Sequence, residues 1–331
     1  MPAYVTRRVA PDGQNGTLGA ALRGLPADER IPARILLSPG VYREKVSVVR
    51  ANTVIESEIP RAARIVWGDG ARHLLAGGGK RGTFRTATLF VDAPRVTLRG
   101  LVIENDAGPR DAVGQAIALY ADGDGLLAED CALLGYQDTL FTAPLPPHEI
   151  EKNGFIGPKQ FAPRIPQRQT YRRCTIRGDV DFIFGGAAAW FDRCDIVSAD
   201  GRADRHTPFT GFVAAPSTPQ GQEFGYVFSR CRFLSQDCPP GRVYLARPWR
   251  EWGKTVLLNC ELGPHIAPAG FDDWQKPLAR ETACFAEYGC TGPGASGPRA
   301  PFARRLDPAQ AAALTYERFW ASRGGWGTGS C

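Results

Sequence analysis

The sequence predicts an all-β chain wound as a β-solenoid, with short helices only near its two ends. Three observations lead there. Glycine (38) and proline (27) make up about a fifth of the 331 residues, a composition of many turns and few long helices. Short β-branched and apolar runs separated by turn residues recur from end to end. Five of those runs share a frame: AEDCALLG, YRRCTIRG, FDRCDIVS, FSRCRFLS and LLNCELG place Cys131, Cys174, Cys194, Cys231 and Cys260 after a polar residue and two positions before an apolar one. TLRGLVIEN fits the frame without a cysteine. Copies at irregular intervals mean loops of differing length on a regular stack of strands, and stacking successive coils is what buries the inner face of a solenoid.

Taken in order, TLGAALRGLP (17–26) is a short helical candidate. The strand-bearing segments follow: ARILLSPG, KVSVVRANTVIES, TATLFVDAPRVTLRGLVIEND, AIALYADGDGLLAEDCALLG, DVDFIFGGAAAWFDRCDIVS, YVFSRCRFLS and KTVLLNCELG. A second helix is expected over DPAQAAALTYERFW (307–320), with Asp307 as N-cap and Pro308 in its first position. Nothing separates two domains, so residues 1–331 read as one unit. The Pro-rich stretch at about 143–169 reads as a long inserted loop, and long loops in compact folds are often functional. Period-2 alternation turns each framed cysteine and its apolar follower to one face. The five cysteines are therefore expected as small buried hydrophobes, the alternative being a disulfide framework. Cys238, Cys284, Cys290 and Cys331 lie outside the frame, paired or free.

Nine cysteines without a CxxC pair or a Cys/His cluster give no zinc spacing, so no metal is expected. A net charge of +6 is mild: it suits a polyanionic substrate, or simply solubility, and no basic run is dense enough for nucleic acid. No apolar run spans a bilayer, so no membrane partner is expected. The first residues lack a secretory apolar core, which points to the cytoplasm; a secreted or periplasmic protein whose leader has been removed would look the same. The expected state is a monomer.

Polar residues interrupt the strand pattern in four places: Gln115 in GQAIAL, Gln137 and Asp138 in GYQDTLF, Asp181 in GDVDFIFGG, and Arg247 with Trp249 in LARPWREW. A carboxylate among Val180, Phe182, Ile183 and Phe184 must be paired, hydrogen-bonded or protonated. Each residue alone also admits a plain reading: a turn for either aspartate, a surface ion pair for Arg247, a core position for Trp249. Together they meet the needs of ester hydrolysis, namely a nucleophile, a proton donor for the leaving alcohol and donors for an oxyanion.

These four segments, in this order, with GVYREK (Gly40, Tyr42, Glu44) upstream and FAEYGCTGPGA downstream, resemble the pectin methylesterase (pectinesterase) family, in its bacterial type. The resemblance implies a right-handed parallel β-helix with an open cleft along its side, no cofactor, and a substrate of methyl-esterified galacturonan or oligogalacturonate. It implies Asp181 as nucleophile, Asp138 as general acid and then base, Gln115 and Gln137 as oxyanion donors, and Arg247 as the partner of Asp181. Trp249, Tyr136, Phe141 and Phe184 would line the sugar subsites. The chain departs in Ala246, where the family's motif has glycine, and in the long stretch between the two aspartates. Other classes on the same fold are a polysaccharide lyase or glycosidase, or a carbohydrate-binding solenoid without activity. A calcium-dependent lyase would want an acidic cluster beside Asp181, and the sequence has none there.

Overall fold

The computed structural model describes residues 4–11, 13, 16–204, 206, 208 and 210–322. Among them, the chain winds through three sheets in a fixed order. The first sheet has eleven strands from Val5–Val9 to Arg304–Arg305, the second eight from Gly40–Tyr42 to Glu261–Leu262, and the third seven from Val46–Val48 to Val243–Ala246. One coil shows the path: Leu126–Glu129 in the first sheet, Ala132–Leu134 in the second, Leu140–Thr142 in the third. Every strand pairs in parallel with its counterparts in the coils before and after. The result is the right-handed parallel β-helix, the hand that parallel crossovers adopt. Inward side chains of all three sheets, such as Leu98, Phe228, Ile103, Leu133, Leu119 and Leu140, form one long core.

The cysteine frame marks a corner of this coil. Asp130, Arg173, Arg193, Arg230 and Asn259 all have positive φ, between 51° and 57°, and each is followed directly by its cysteine. The left-handed residue turns the chain from the first sheet to the second, and the polar side chain is carried outward. Each thiol points inward and donates to a carbonyl of the preceding coil: Cys131 to Leu98 at 3.4 Å, Cys174 to Ala128 at 3.4 Å, Cys194 to Tyr171 at 3.3 Å, Cys231 to Phe191 at 3.4 Å and Cys260 to Phe228 at 3.3 Å. All five are buried and unpaired. They sit at the corner just before a strand, where the sequence frame had set them within one. Cys290, expected outside the pattern, continues it: Gly289 supplies the positive φ of 64°, and the hydrogen bond with the Cys260 thiol, and next burial, push its own thiol up. Cys238 is unpaired, Cys284 is in a disulfide, and Cys331 lies outside the described residues.

The N-terminal end is closed by the helix Leu18–Arg23, whose cap is the Thr17 hydroxyl. Glu44 accepts from the free amides of Leu18 and Gly19 at 2.9 and 3.1 Å, and Tyr42 bonds the carbonyls of Val9 and Ser38. The GVYREK motif therefore holds the cap of the solenoid, a carboxylate on a helix N-terminus, rather than the cleft. At the other end the single helix expected over 307–320 is two, Pro308–Ala313 and Tyr316–Ala321. Leu314 ends the first, Thr315 caps the second through its hydroxyl, and the change of direction lays Tyr316 and Phe319 against Trp190. Asp307 is the N-cap in a full capping box with Gln310.

Candidate active site

The third sheet brings the interrupting residues together. Gln115 lies just before the strand Leu119–Ala121, and Gln137 and Asp138 just before its neighbour Leu140–Thr142. Asp181 is in the next strand, Val180–Gly185, and Arg247 directly follows Val243–Ala246 two strands further on. Ladder bonds hold them side by side: Ala116 N to Gln137 O at 3.0 Å, Asp138 N to Val180 O at 3.1 Å, Arg247 N to Ala214 O at 2.9 Å.

Both aspartates sit on strained backbone, Asp138 at φ 66° and Asp181 at φ 48°. Aspartate tolerates the left-handed region better than most residues, and such strain concentrates at functional sites. For Asp181 the cause is visible. The register against Gly211–Pro216 slips between Val180 and Ile183, so Asp181 lies in a β-bulge that turns its side chain out of the strand alternation. Gly178 permits the entry: a Cβ there would stand 2.2 Å from that of Phe182 and 2.5 Å from the Tyr136 carbonyl.

The two carboxyl groups have opposite surroundings. Asp181, 6% exposed, takes a bidentate clamp from Arg247, Nε to Oδ1 at 2.8 Å and Nη2 to Oδ2 at 2.6 Å. The guanidinium is itself held between two rings, 3.8 Å from the centre of Phe212 and 3.7 Å from that of Trp274. Asp138, 7% exposed, has no cation paired with it among the described residues. Burial, and next the negative charge of Asp181, push its carboxyl well above the ordinary range, with Arg247 opposing. One acid is thus disposed to stay protonated beside a carboxylate held by arginine. Asp179, two residues before Asp181, is wholly buried and pushed up to about 7 by burial, with Arg110 Nε 3.5 Å away.

Gln115, Gln137, Asp138, Asp181, Phe184, Arg247 and Trp249 open on one cleft of about 550 Å³. Neither glutamine side chain bonds another described residue, which leaves both amides for a bound group. Two of the expected sugar-lining residues are elsewhere. Phe141 is fully buried beneath the cleft, edge-on to Phe84 and Tyr120, because its strand is flanked on both sides and the aromatic layer closes over it. Tyr136 is half-buried outside the cleft with Arg177 5.6 Å over its ring, since the left-handed turn at Asp138 sends the two side chains different ways. Sequence reasoning missed Phe84, Trp274, Arg250 and Lys276, which also line the cleft. Trp274 follows an aspartate turn, with its amide bonded to Asp272 at 2.7 Å, and nothing local signals that its ring will meet Arg247.

The inserted loop forms one wall, through Ile150, Glu151, Gly154 and Phe155. Phe155 packs edge-on against Trp249 at 6.2 Å and against Phe84 at 5.9 Å. Arg164 staples the loop's base through the carbonyls of Pro146, Lys159, Gln160 and Ala162, and Lys159 ties it to the coil through Asp92 at 2.6 Å.

Fold and site together define a parallel β-helix protein with an arginine-clamped aspartate and a second, neutral-leaning aspartate in one lateral cleft. The chain belongs to the pectinesterase family, whose model matches residues 6–145 and 164–320 and leaves the tip of the insertion outside. It is 31% identical over 335 residues to probable pectinesterase/pectinesterase inhibitor 23 of Arabidopsis thaliana, a match that covers 96% of this chain and 52% of that protein. The chain thus spans about half the length of that relative. Pectin methylesterase PemA from Erwinia chrysanthemi superposes with a TM-score of 0.78 at 29% identity, covering 96% of this chain and 97% of that one. A pectin methylesterase solved in complex with a hexasaccharide gives the same TM-score, identity and coverage.

Proposed function

We propose that this chain hydrolyses methyl esters of galacturonan, releasing methanol, and that its two cleft aspartates divide the work. The single observation that carries the proposal is the contrast between them: Asp181 clamped by Arg247, Asp138 buried without a cation of its own. In this reading the Asp181 carboxylate attacks the ester carbonyl. Gln115 and Gln137 donate to the oxygen that gains charge, where each donor is worth far more than in the ground state. The intermediate collapses, the C–O bond to the methoxy group breaks, and Asp138 gives its proton so that methanol leaves. Asp138, now a carboxylate, takes a proton from water, and that water attacks the acyl group on Asp181. The product is galacturonic acid, which releases the second proton of the water to solvent and becomes the carboxylate, with Asp181 ionised and Asp138 protonated again.

The raised pKa of Asp138 fits a group that must hold a proton until the alcohol departs. Trp249 and Phe184 offer apolar faces to the sugar rings. The likeness to the Erwinia enzyme over nearly its whole length supports the bacterial type, and the complex with a hexasaccharide supports a pectic oligosaccharide as ligand. The test is methanol release from methylated pectin by Asp181→Asn. A loss of about a thousandfold or more, with folding intact, is expected for removal of a nucleophile. Retention of most activity overturns the assignment. New unsaturated ends in place of methanol would identify a lyase instead.

A further inference from the structure

Asp179 lies behind the cleft, outside its lining, and is joined to each segment that carries the proposed chemistry. It stands two residues before Asp181. Its amide donates to the Tyr136 carbonyl at 3.3 Å, one residue ahead of Gln137. Its carbonyl accepts at 3.0 Å from the amide of Phe212, the residue whose ring seats Arg247. Its carboxylate accepts from the Val180 amide on Oδ1 at 2.6 Å, and Val180 in turn offers its carbonyl to the Asp138 amide at 3.1 Å. Arg110 Nε stands 3.5 Å from the other oxygen, Oδ2. Arg110 opens the short helix Arg110–Val113, which ends two residues before Gln115. One buried residue thus ties together the segments of both glutamines, both cleft aspartates and the arginine clamp.

The carboxylate is sealed from water. Gly201 packs directly on it: a Cβ there would stand 2.1 Å from Oδ2 and 2.7 Å from the Tyr136 ring. Oδ2 accepts no hydrogen bond among the described residues. The charged groups around it come from every side. Asp111 lies beside Arg110 at 3.6 Å on the helix, and Arg177 lies over the Tyr136 ring. Asp200, paired with Arg202 at 2.6 Å, flanks Gly201, with Asp237 and Cys238 beyond. Asp138 and the Asp181–Arg247 pair are on the cleft side. Burial opposes ionisation of Asp179 and Arg110 favours it, so the group takes up its charge near neutrality, at about 7. The proton on Asp138 is held first by burial and then by the charge of Asp181, and Asp179 adds to that repulsion.

We propose that Asp179, which touches no substrate, is a positioning residue for ester hydrolysis: its buried charge, set against Arg110, holds the proton on Asp138 until methanol departs. The proposal rests on the esterase reading above. As pH rises past neutrality Asp179 ionises, and a second negative charge behind Asp138 makes loss of its proton costlier where bulk solvent most favours that loss. The general acid stays loaded to higher pH than burial and Asp181 alone would allow. The same repulsion makes Asp138 a stronger base once methanol has gone and water must be activated.

Asp179→Asn removes the charge and keeps the shape, with an amide oxygen that can still accept from Val180. The assay is methanol release from a methylated oligogalacturonate between about pH 5 and pH 10, read as kcat, whose alkaline limb reports the acid of the enzyme–substrate complex. That limb should move to lower pH by about one unit, the order of one like charge removed from a low-dielectric site. Arg110→Gln withdraws the cation that favours the charged form of Asp179, and should move the limb the same way by about half as much; Arg110→Lys should leave it in place. A merely structural role would lower kcat at every pH without moving the limb, and that result in Asp179→Asn overturns the proposal, as does a limb moved to higher pH. Should Asp179→Asn fail to fold, an unmoved limb in Arg110→Gln, a half-buried helix position, overturns it instead. Absence of methanol from the unmodified enzyme overturns the esterase reading itself, a different outcome from an unmoved limb.

Discussion

Trp274 is the residue on which the geometry of the site makes a quantitative demand. Its ring centre lies 3.7 Å from the Arg247 guanidinium, with Phe212 at 3.8 Å on the other face. The cation between them clamps Asp181 with two short bonds. A cation–π contact in a desolvated site is worth about 2 kcal/mol. Trp274→Ala removes one face and admits water to the guanidinium, so the clamp loses both its orientation and its dry surroundings. If that 2 kcal/mol is realised in the transition state, kcat/KM falls about thirtyfold, since 1.36 kcal/mol is a factor of ten. Trp274→Phe keeps a ring over Arg247 and should stay within about fivefold. The assay is methanol release from a methylated oligogalacturonate across a range of concentrations, with thermal unfolding to establish that each variant is folded. A positioning residue acting through Arg247 and Asp181 shows its loss in kcat. An unchanged kcat with a raised KM refutes the reasoning and makes Trp274 a sugar-stacking surface instead. Unchanged kinetics refutes both.

Further outcomes follow from other parts of the structure. Gln115→Ala should lower kcat by about 10²–10³ with little change in KM, because an oxyanion donor acts in the transition state; a change confined to KM would place it in ground-state binding. Asp179, wholly buried and raised from 3.8 to about 7, stabilises the fold fully below pH 3.8 and loses that contribution as pH rises through 7, a span worth about 4 kcal/mol at 1.36 kcal/mol for each pH unit. Asp179→Asn should therefore gain stability relative to the unmodified chain between pH 5 and pH 8.5 in urea titrations, and an equal difference at both pH values would show that Asp179 is not held near neutrality. Replacing residues 147–163 by a short Gly/Ser linker removes the Phe155 wall and should raise the rate on long pectin relative to short oligomers by about threefold or more, as expected for a loop that shapes a binding cleft. An unchanged ratio would reduce the insertion to a surface loop.

Much of this molecule was legible in its sequence, and the reason is local. A coil corner needs a left-handed residue and then a small inward side chain, so polar-then-cysteine recurs at Asp130–Cys131, Arg173–Cys174, Arg193–Cys194, Arg230–Cys231 and Asn259–Cys260. A polar residue inside an apolar strand breaks a period-2 pattern visibly, and Gln115, Gln137, Asp138 and Asp181 stood out for that reason. The same local rule capped the helices at Thr17 and Asp307.

What the chain order could not express is which residues meet across coils. Asp181 and Arg247 are neighbours only because one further strand of the third sheet, Gly211–Pro216, lies in register between their segments. Trp274 reaches Arg247 from a loop whose own sequence speaks only of a turn. Phe141 carried a motif signal yet fell beneath the cleft, because burial is set by the layer that closes over a strand and not by the strand. Cys290 joined the ladder through a glycine, which satisfies the same left-handed corner without the polar side chain that marked the other copies. The sequence by itself determined the repeating coil and the chemical groups along it, since both follow from neighbours in the chain. Tertiary structure alone decided the raised pKa of Asp138, the aromatic seat of Arg247 and the partly buried setting of Arg250 and Lys276, since each depends on dielectric and distance between segments that only the stacked coils bring together.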